Sequence, residues 1–473
     1  MLQDADALPQ LIGDYKSVDQ WQVHVNRLFY KFRSDQIRNY YQTFASADYR
    51  LAHALASDYF EKVLKRDTSP SRAVKDSSPL TVMEWGPGNG NLAACFLSHL
   101  RTLDKQERVY PRIRYVMVDW EQSLLDRAIA SPALVQHRDR IAPICTTVDR
   151  ISDIADGTVD RIICNELWND LPTKLMCRQG GDIEEEFLRP NLSDALHAKI
   201  DDWAAFVRAF DAKDVETLRR FPLFFDDLVW EREYRTIDWK EIPYRKTITE
   251  FLRRIDEQVV VPVNIGAFMA LKEAKRLLSP DAIGFSSFDA GSTDLKVLND
   301  PDKPCSGQFG GQQSYMVNFP LAEAVGKQLG AGQVTVESQR EFIGRSLGTN
   351  VLTLMDLLAT HPSAGTKMEP WEQDLLLLKT VRALDDVYQS PYERKMEFPL
   401  RVDTPAVERD GMQALVDGLK ATGVPDTVAY LTEEELTAAS RNLEEIGYDP
   451  HSFLIALTAP PSPVDYFHLL MSR

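Results

Sequence analysis

Residues 82–100, VMEWGPGNGNLAACFLSHL, pass from an apolar strand-like run into a helix-like run through a bend holding three glycines in five positions. Glycine lets a turn take positive φ and lets another group lie against bare backbone at a helix N-terminus. The text that follows repeats the alternation. LTVMEW (80–85), IRYVMVDW (113–120), IAPICTTV (141–148) and VDRIICNEL (159–167) read as strands, with helices expected from about Asn91 and through about Ala130. Continuous apolar strands separated by helices predict a parallel sheet covered on both faces.

The rest of the chain organises around that core. Residues 14–66 read mostly as helix, with Leu51, Leu55, Tyr59, Phe60, Val63 and Leu64 near helical spacing. DTSPSRAVKDSSP (67–79) reads as a polar loop. The next good strand, AIGFSSFDAG (282–291), comes over a hundred residues after the fourth, preceded by a crossover helix at about 266–278. A crossover is much shorter than that. The charged and aromatic stretch 178–250 is therefore expected to be an inserted helical subdomain or lid. GQVTVESQ (332–339) reads as a late edge strand. From 351 onward the pattern is helical, including a capping box from Thr432 to Glu435 and a stop at Gly447. The division expected is 1–78 helical, 79–177 first half of the sheet domain, 178–260 helical insert, 261–350 remainder of the sheet domain, and 351–473 helical extension.

Composition limits the function classes. Of 473 residues, 44% are hydrophobic and 26% charged, a globular balance, and the net charge is −17. Such an acidic chain does not suit a phosphate backbone, so no nucleic-acid partner is expected. The five cysteines include no CxxC pair, and the eight histidines form no HxxxH or HExxH pair, so neither a disulfide frame nor a metal site is expected. MLQDADALPQ lacks a basic start and an apolar h-region, and no 18-residue apolar run occurs. No secretory signal, no membrane span and a cytoplasmic location are the expectations.

The loop itself is Glu84-Trp85-Gly86-Pro87-Gly88-Asn89-Gly90. A dinucleotide fingerprint, GxGxxG, needs a glycine at position 91, which is Asn. The pattern acid-x-GxGxG suits S-adenosyl-L-methionine instead, with Glu84 helping to hold its cationic amino acid end. Asp119 ends the second strand about 30 residues on, where a carboxylate can accept both ribose hydroxyls; Trp120 follows it, and Asp149 past the third strand is a candidate for the adenine edge. The fourth strand runs into Asn165-Glu166, then Asn169 and Asp170. The carboxyl ends of parallel strands face the ligand crevice, so these polar groups are the catalytic candidates. GRSLG (344–348) matches a nucleophile elbow, but the polar ESQREFI before it is no strand, and a serine hydrolase is not expected.

These segments resemble the MidA-like family of S-adenosyl-L-methionine-dependent methyltransferases, whose members include a mitochondrial assembly factor that dimethylates an arginine. EWGPGNGNLAACFL, MVDWEQSL, NELWNDLP, SSFDAG, QSYMVNF and FIGRSLG match the family's motifs in order, over roughly residues 40–400. Asn169 stands where the family has Asp, Ala290 where it has Tyr, Gln312 where it has Asp and Met316 where it has His; cofactor positions are kept more closely than substrate positions. The resemblance implies a Rossmann-like class I methyltransferase sheet.

Methyl transfer needs an aligned nucleophile and loss of a proton. A guanidinium acceptor is protonated and a poor nucleophile. A carboxylate can bind it and draw its charge from the attacking nitrogen; Glu166 is the first choice, with Asn165, Asn169 and Asp170 orienting. The acceptor expected is a protein, with arginine N-methylation the leading case, or a small molecule; a homodimer is compatible. A cofactor-binding scaffold without turnover is the rival reading.

Overall fold

The computed structural model describes residues 10–33, 50–68, 78–309, 311–347, 368–387, 400–418, 441, 444 and 466–473. Its centre is a sheet of β1 (Leu80–Trp85), β2 (Ile113–Asp119), β3 (Ile141–Cys145), β4 (Arg161–Asn165), β5 (Gly284–Ser292), β6 (Val334–Ser338) and β7 (Tyr466–Met471). The spatial order is β3-β2-β1-β4-β5-β7-β6. β1 to β5 pair in parallel, and β7 lies antiparallel between β5 and β6. The order agrees with the Rossmann-like sheet expected from the sequence, and all five strands and the edge strand read from the sequence are present.

Alternation sorts the side chains onto two faces. Val82, Tyr115, Met117, Ile163 and Phe288 face α2 (Arg50–Asp67), α3 (Asn91–Leu103) and α7 (Gln339–Leu347). Met83, Trp85, Val116, Val118 and Phe285 face α5 (Ile265–Leu277) and α6 (Phe319–Gln328). Helix α4 (Gln122–Ala130) follows β2, as the sequence predicts.

Two parts differ from the sequence reading. The inserted segment does hold helices, Trp203–Ala212 and Arg245–Leu252, but they hang on an antiparallel sheet. Its strands are Lys174–Gln179, Asp182–Leu192, Leu228–Thr236 and Val261–Val263, joined by Lys16–Ser17. Gly180 and Gly181, at φ 58° and 92°, make the two-residue hairpin turn. Residues 178–250 are expected to be a helical subdomain or lid, yet within them Glu185 and Glu186 are buried strand residues paired to Lys174 and to Tyr234 and Arg232. Helix α1 (Val18–Arg33) packs on this sheet, with Trp21, Phe29, Phe206, Phe210, Phe224 and Phe225 in a separate core.

The second difference is β7. The C-terminal region contains the expected helices Pro370–Val387 and Ala406–Gly418, but the last described residues are a strand, which corrects the reading of 351–473 as wholly helical. Leu469 and Met471 are fully buried, worth about 2 kcal/mol each. Buried Arg161 donates to Ser286 Oγ at 2.8 Å, Ser286 meets His468 Nε2 at 2.7 Å, and His468 Nδ1 meets Glu337 at 3.0 Å, tying β4, β5, β7 and β6 together. The capping box at Thr432–Glu435, Gly447 and most of the 67–79 loop lie outside the described residues. Among the described residues no helix is long and apolar enough to cross a membrane.

Candidate active site

The bend after β1 has Gly86, Gly88 and Gly90 at φ 68°, 53° and 80°. A Cβ on Gly90 would sit 2.9 Å from Leu134 and 3.3 Å from a backbone oxygen, so that glycine is needed by the protein's own packing. A Cβ on Gly88 would meet nothing within 4 Å. Its backbone therefore borders open space, which is what a ligand lying on the loop requires. Pro87 is buried and its carbonyl accepts the Gly90 amide at 2.8 Å. Asn89 accepts the Asn91 amide at 3.1 Å, leaving its buried Nδ2 without a partner among the described residues.

Glu84 lies inside the sheet. Its carboxylate accepts the Tyr115 hydroxyl at 2.8 Å, and burial raises its pKa to about 7, against that hydrogen bond. Asp119 ends β2, buried, accepting the Glu121 amide at 3.0 Å; burial raises its pKa to about 6. Trp120 stands edge-on to Tyr30 at 6.3 Å. Asp149 lies in an exposed turn.

β4 ends in the densest polar cluster. Glu166 is buried with φ 46°, a left-handed conformation that costs a non-glycine residue about 1 kcal/mol. Such an outlier is a mark of functional sites. The β7 residue Tyr466 hydrogen-bonds Glu166 through its hydroxyl. Fully buried Asp289 accepts the Trp168 amide at 2.7 Å and the Asn169 amide at 3.4 Å, which fixes the turn carrying Asn169 and Asp170. Burial, then the charge of Glu166, pushes the Asp289 carboxyl well above its usual range.

Asp170 Oδ2 accepts the Tyr30 hydroxyl at 2.5 Å and the Gln312 amide. Burial raises its pKa to about 7, and the bonds from Tyr30 and Gln312 oppose the rise. Gln22 of α1 donates to the Asn169 carbonyl at 3.1 Å and accepts the Thr173 amide at 2.8 Å. Asn165 Oδ1, Asn169 Oδ1, Asp170 Oδ1 and Gln312 Oε1 are buried with no partner among the described residues. Acceptors therefore outnumber donors among these unpartnered groups, the one donor on the turn after β4 being Trp168 Nε1.

The structure brings the four catalytic candidates onto one turn, and it places the glycine loop and Asp119 at the ends of neighbouring strands. Sequence reasoning missed Tyr30, Gln22 and Tyr466, for which no local signal exists. It assigned no role to Asp289, although SSFDAG was singled out. The bare Gly88 backbone and the Asn89 Nδ2, which has no partner among the described residues, fit a cofactor that is itself rich in polar groups. Among the described residues no group of three or more His, Cys, Asp or Glu could hold a metal ion.

Residues 56–258 match the family described as "Putative S-adenosyl-L-methionine-dependent methyltransferase". A crystal structure from Burkholderia thailandensis, bound to S-adenosyl-homocysteine, shares the fold at TM-score 0.52 and 13% identity, covering 97% of this chain and 88% of that one. A native structure of an uncharacterized protein from the same organism aligns at TM-score 0.47 and 13% identity, over 96% and 93%. A SAM dependent methyltransferase from Aquifex aeolicus aligns at 0.25 and 12% identity, over 58% and 82%. No curated protein sequence matches the chain.

Proposed function

We propose that this chain, whose residues 56–258 match a family described as putative S-adenosyl-L-methionine-dependent methyltransferases, transfers a methyl group to a nitrogen of a protein arginine. S-adenosyl-L-methionine supplies an electrophilic methyl group when bound. Gly86, Gly88 and Asn89 would hold it on the loop, and Asp119 would accept its ribose hydroxyls.

The observation that carries the acceptor reading is the shortage of donors at the β4 edge. Asn165 Oδ1, Asn169 Oδ1, Asp170 Oδ1 and Gln312 Oε1 are buried acceptors with no partner among the described residues. An unsatisfied buried acceptor costs about 1–3 kcal/mol. A guanidinium offers five N–H donors and no acceptor, so it satisfies several of them at once. Glu166, held by Tyr466 and by the strained backbone, binds the guanidinium edge away from the attacking nitrogen and leaves that nitrogen more electron-rich. The nitrogen that gains a methyl group releases one proton. Asp170, with a pKa near 7, takes it at neutral pH.

The test is transfer of labelled methyl from the cofactor into an extract of the native source, followed by acid hydrolysis of the labelled protein. Methylated arginine in a discrete protein band is the expected result. Label confined to the small-molecule fraction would replace the arginine reading with a metabolite acceptor. Wild-type protein that binds S-adenosylhomocysteine but transfers nothing would make the chain a scaffold.

A further inference from the structure

A hollow of about 620 Å³ opens on the same carboxyl edge of the sheet. Thr293, directly after β5, and Ser338, the end of β6, both line it. Carboxyl ends of parallel strands are where open α/β sheets receive ligands. One wall is a stripe of α6, Pro320, Glu323, Ala324 and Lys327, at the spacing that puts side chains on one helix face. The floor is Phe467 and Val336, and Leu295 stands opposite. The rim includes Arg254, from the end of the inserted segment.

The charges of this hollow are unevenly satisfied. Lys327 pairs with Glu323 at 2.7 Å, Glu337 pairs with Arg345 and with His468, and the third lining carboxylate, Glu341, accepts the Ser338 amide at 3.0 Å. Arg254 is exposed and has no carboxylate partner among the described residues. The floor is apolar, and one cation at the mouth is uncommitted.

The hollow is joined to the candidate active site through two adjacent residues. Tyr466 and Phe467 begin β7, and successive side chains on a strand leave opposite faces. Tyr466 goes to Glu166. Phe467 goes to the hollow, its ring 5.5 Å from Phe319 of α6. The two side chains depart from Cα atoms about 3.8 Å apart. A ligand that reaches both must pass over the start of β7.

We propose that this hollow is a subsite for the acceptor polypeptide: it takes an apolar side chain at a fixed offset from the methylated arginine, with an acidic neighbour meeting Arg254. The proposal rests on the protein-acceptor reading above. Apolar flooring over Phe467 selects the first feature, and the uncommitted guanidinium of Arg254 selects the second. None of the four catalytic candidates lines the hollow, which suits a chain lying across the surface more than a metabolite held whole.

Short synthetic peptides with a central arginine test it, with one phenylalanine and one aspartate walked through the flanking positions and alanine elsewhere. Their binding to the S-adenosylhomocysteine-loaded protein is measured by calorimetry, and labelled methyl transfer to the same peptides is measured separately. Wild type should prefer phenylalanine at one fixed offset by about ten-fold or more. Ala324→Trp, which fills the hollow, should erase that preference. Arg254→Glu should reverse the charge preference from aspartate to lysine. Both variants should keep the wild-type affinity for S-adenosylhomocysteine and the wild-type thermal midpoint. Arg254→Glu changes an exposed side chain, so it keeps the test open should Ala324→Trp misfold. Offset and charge preferences that survive both variants would overturn the proposal. Methylation with no flanking preference would overturn it while upholding the arginine reading. Selective binding without methylation at arginine would uphold the subsite and overturn arginine as the acceptor. Neither binding nor methylation would overturn both.

Discussion

The phenol of Tyr30 donates to Asp170 Oδ2 at 2.5 Å, across 140 positions of chain. Helix α1 thereby reaches the turn after β4 and sets the acidity of a carboxylate that burial alone would raise further. Both Tyr30 and Gln312 favour the ionised form of Asp170.

Tyr30→Phe removes one of those donors. The Asp170 pKa should rise from about 7, by about one unit. If Asp170 takes the acceptor's proton, the acid limb of the kcat profile moves to higher pH by the same amount, with KM for the cofactor little changed. An unshifted limb would remove Asp170 from the role of base.

Gly88→Val places a branched Cβ where nothing stands within 4 Å, so the protein itself does not clash. The cost to folding is the positive φ, about 1–2 kcal/mol. Cofactor binding should be abolished, because the Cβ occupies the space the ligand needs. Calorimetry on the folded variant decides it: retained affinity for S-adenosylhomocysteine means that the ligand does not lie on this loop.

Asp119→Ala should weaken S-adenosylhomocysteine binding by about 1–3 kcal/mol, the loss when hydroxyls lose a charged acceptor. Wild-type affinity should also rise between pH 5 and 7, as Asp119 ionises through its pKa of about 6, and the variant should lack that rise. Identical pH dependence in the two proteins would place the ribose elsewhere.

Glu166→Gln keeps the side-chain shape and removes the charge. Turnover should fall about 10²-fold or more at equal cofactor occupancy, with S-adenosylhomocysteine affinity retained. A variant as active as wild type would leave the strained backbone at Glu166 without a catalytic purpose.

Glu84 bears on stability. Its folded pKa is raised to about 7 from 4.5. A raised carboxyl contributes stability that is complete below the unfolded value and lost as pH rises through the folded one. The swing is about 3 kcal/mol at 1.4 kcal/mol per unit. Urea unfolding should therefore show Glu84→Gln gaining on wild type as pH rises from 5 to 8. Parallel pH profiles for the two proteins would show that Glu84 is already charged in the fold.

Much of the candidate site is local in origin. The glycines, Asp119 and the Asn165–Asp170 turn are each the end of an apolar run, and apolar runs are visible in a window of a few residues. The inserted segment misleads, because its density of charge and aromatics reads as a helical subdomain and the Gly180–Gly181 turn, which signals a hairpin, goes unread.

The alternation of strand and helix, the glycine bend and the acids at the strand ends follow from the sequence alone, because periodicity, turn chemistry and helix starts depend on neighbours in the chain. Tyr30 on Asp170, Tyr466 on Glu166, and β7 between β5 and β6 were decided only by the tertiary structure. A strand's backbone groups can pair with any other edge, and a buried carboxylate can be met from any element that packs over it. Neither choice is written in the residues on either side.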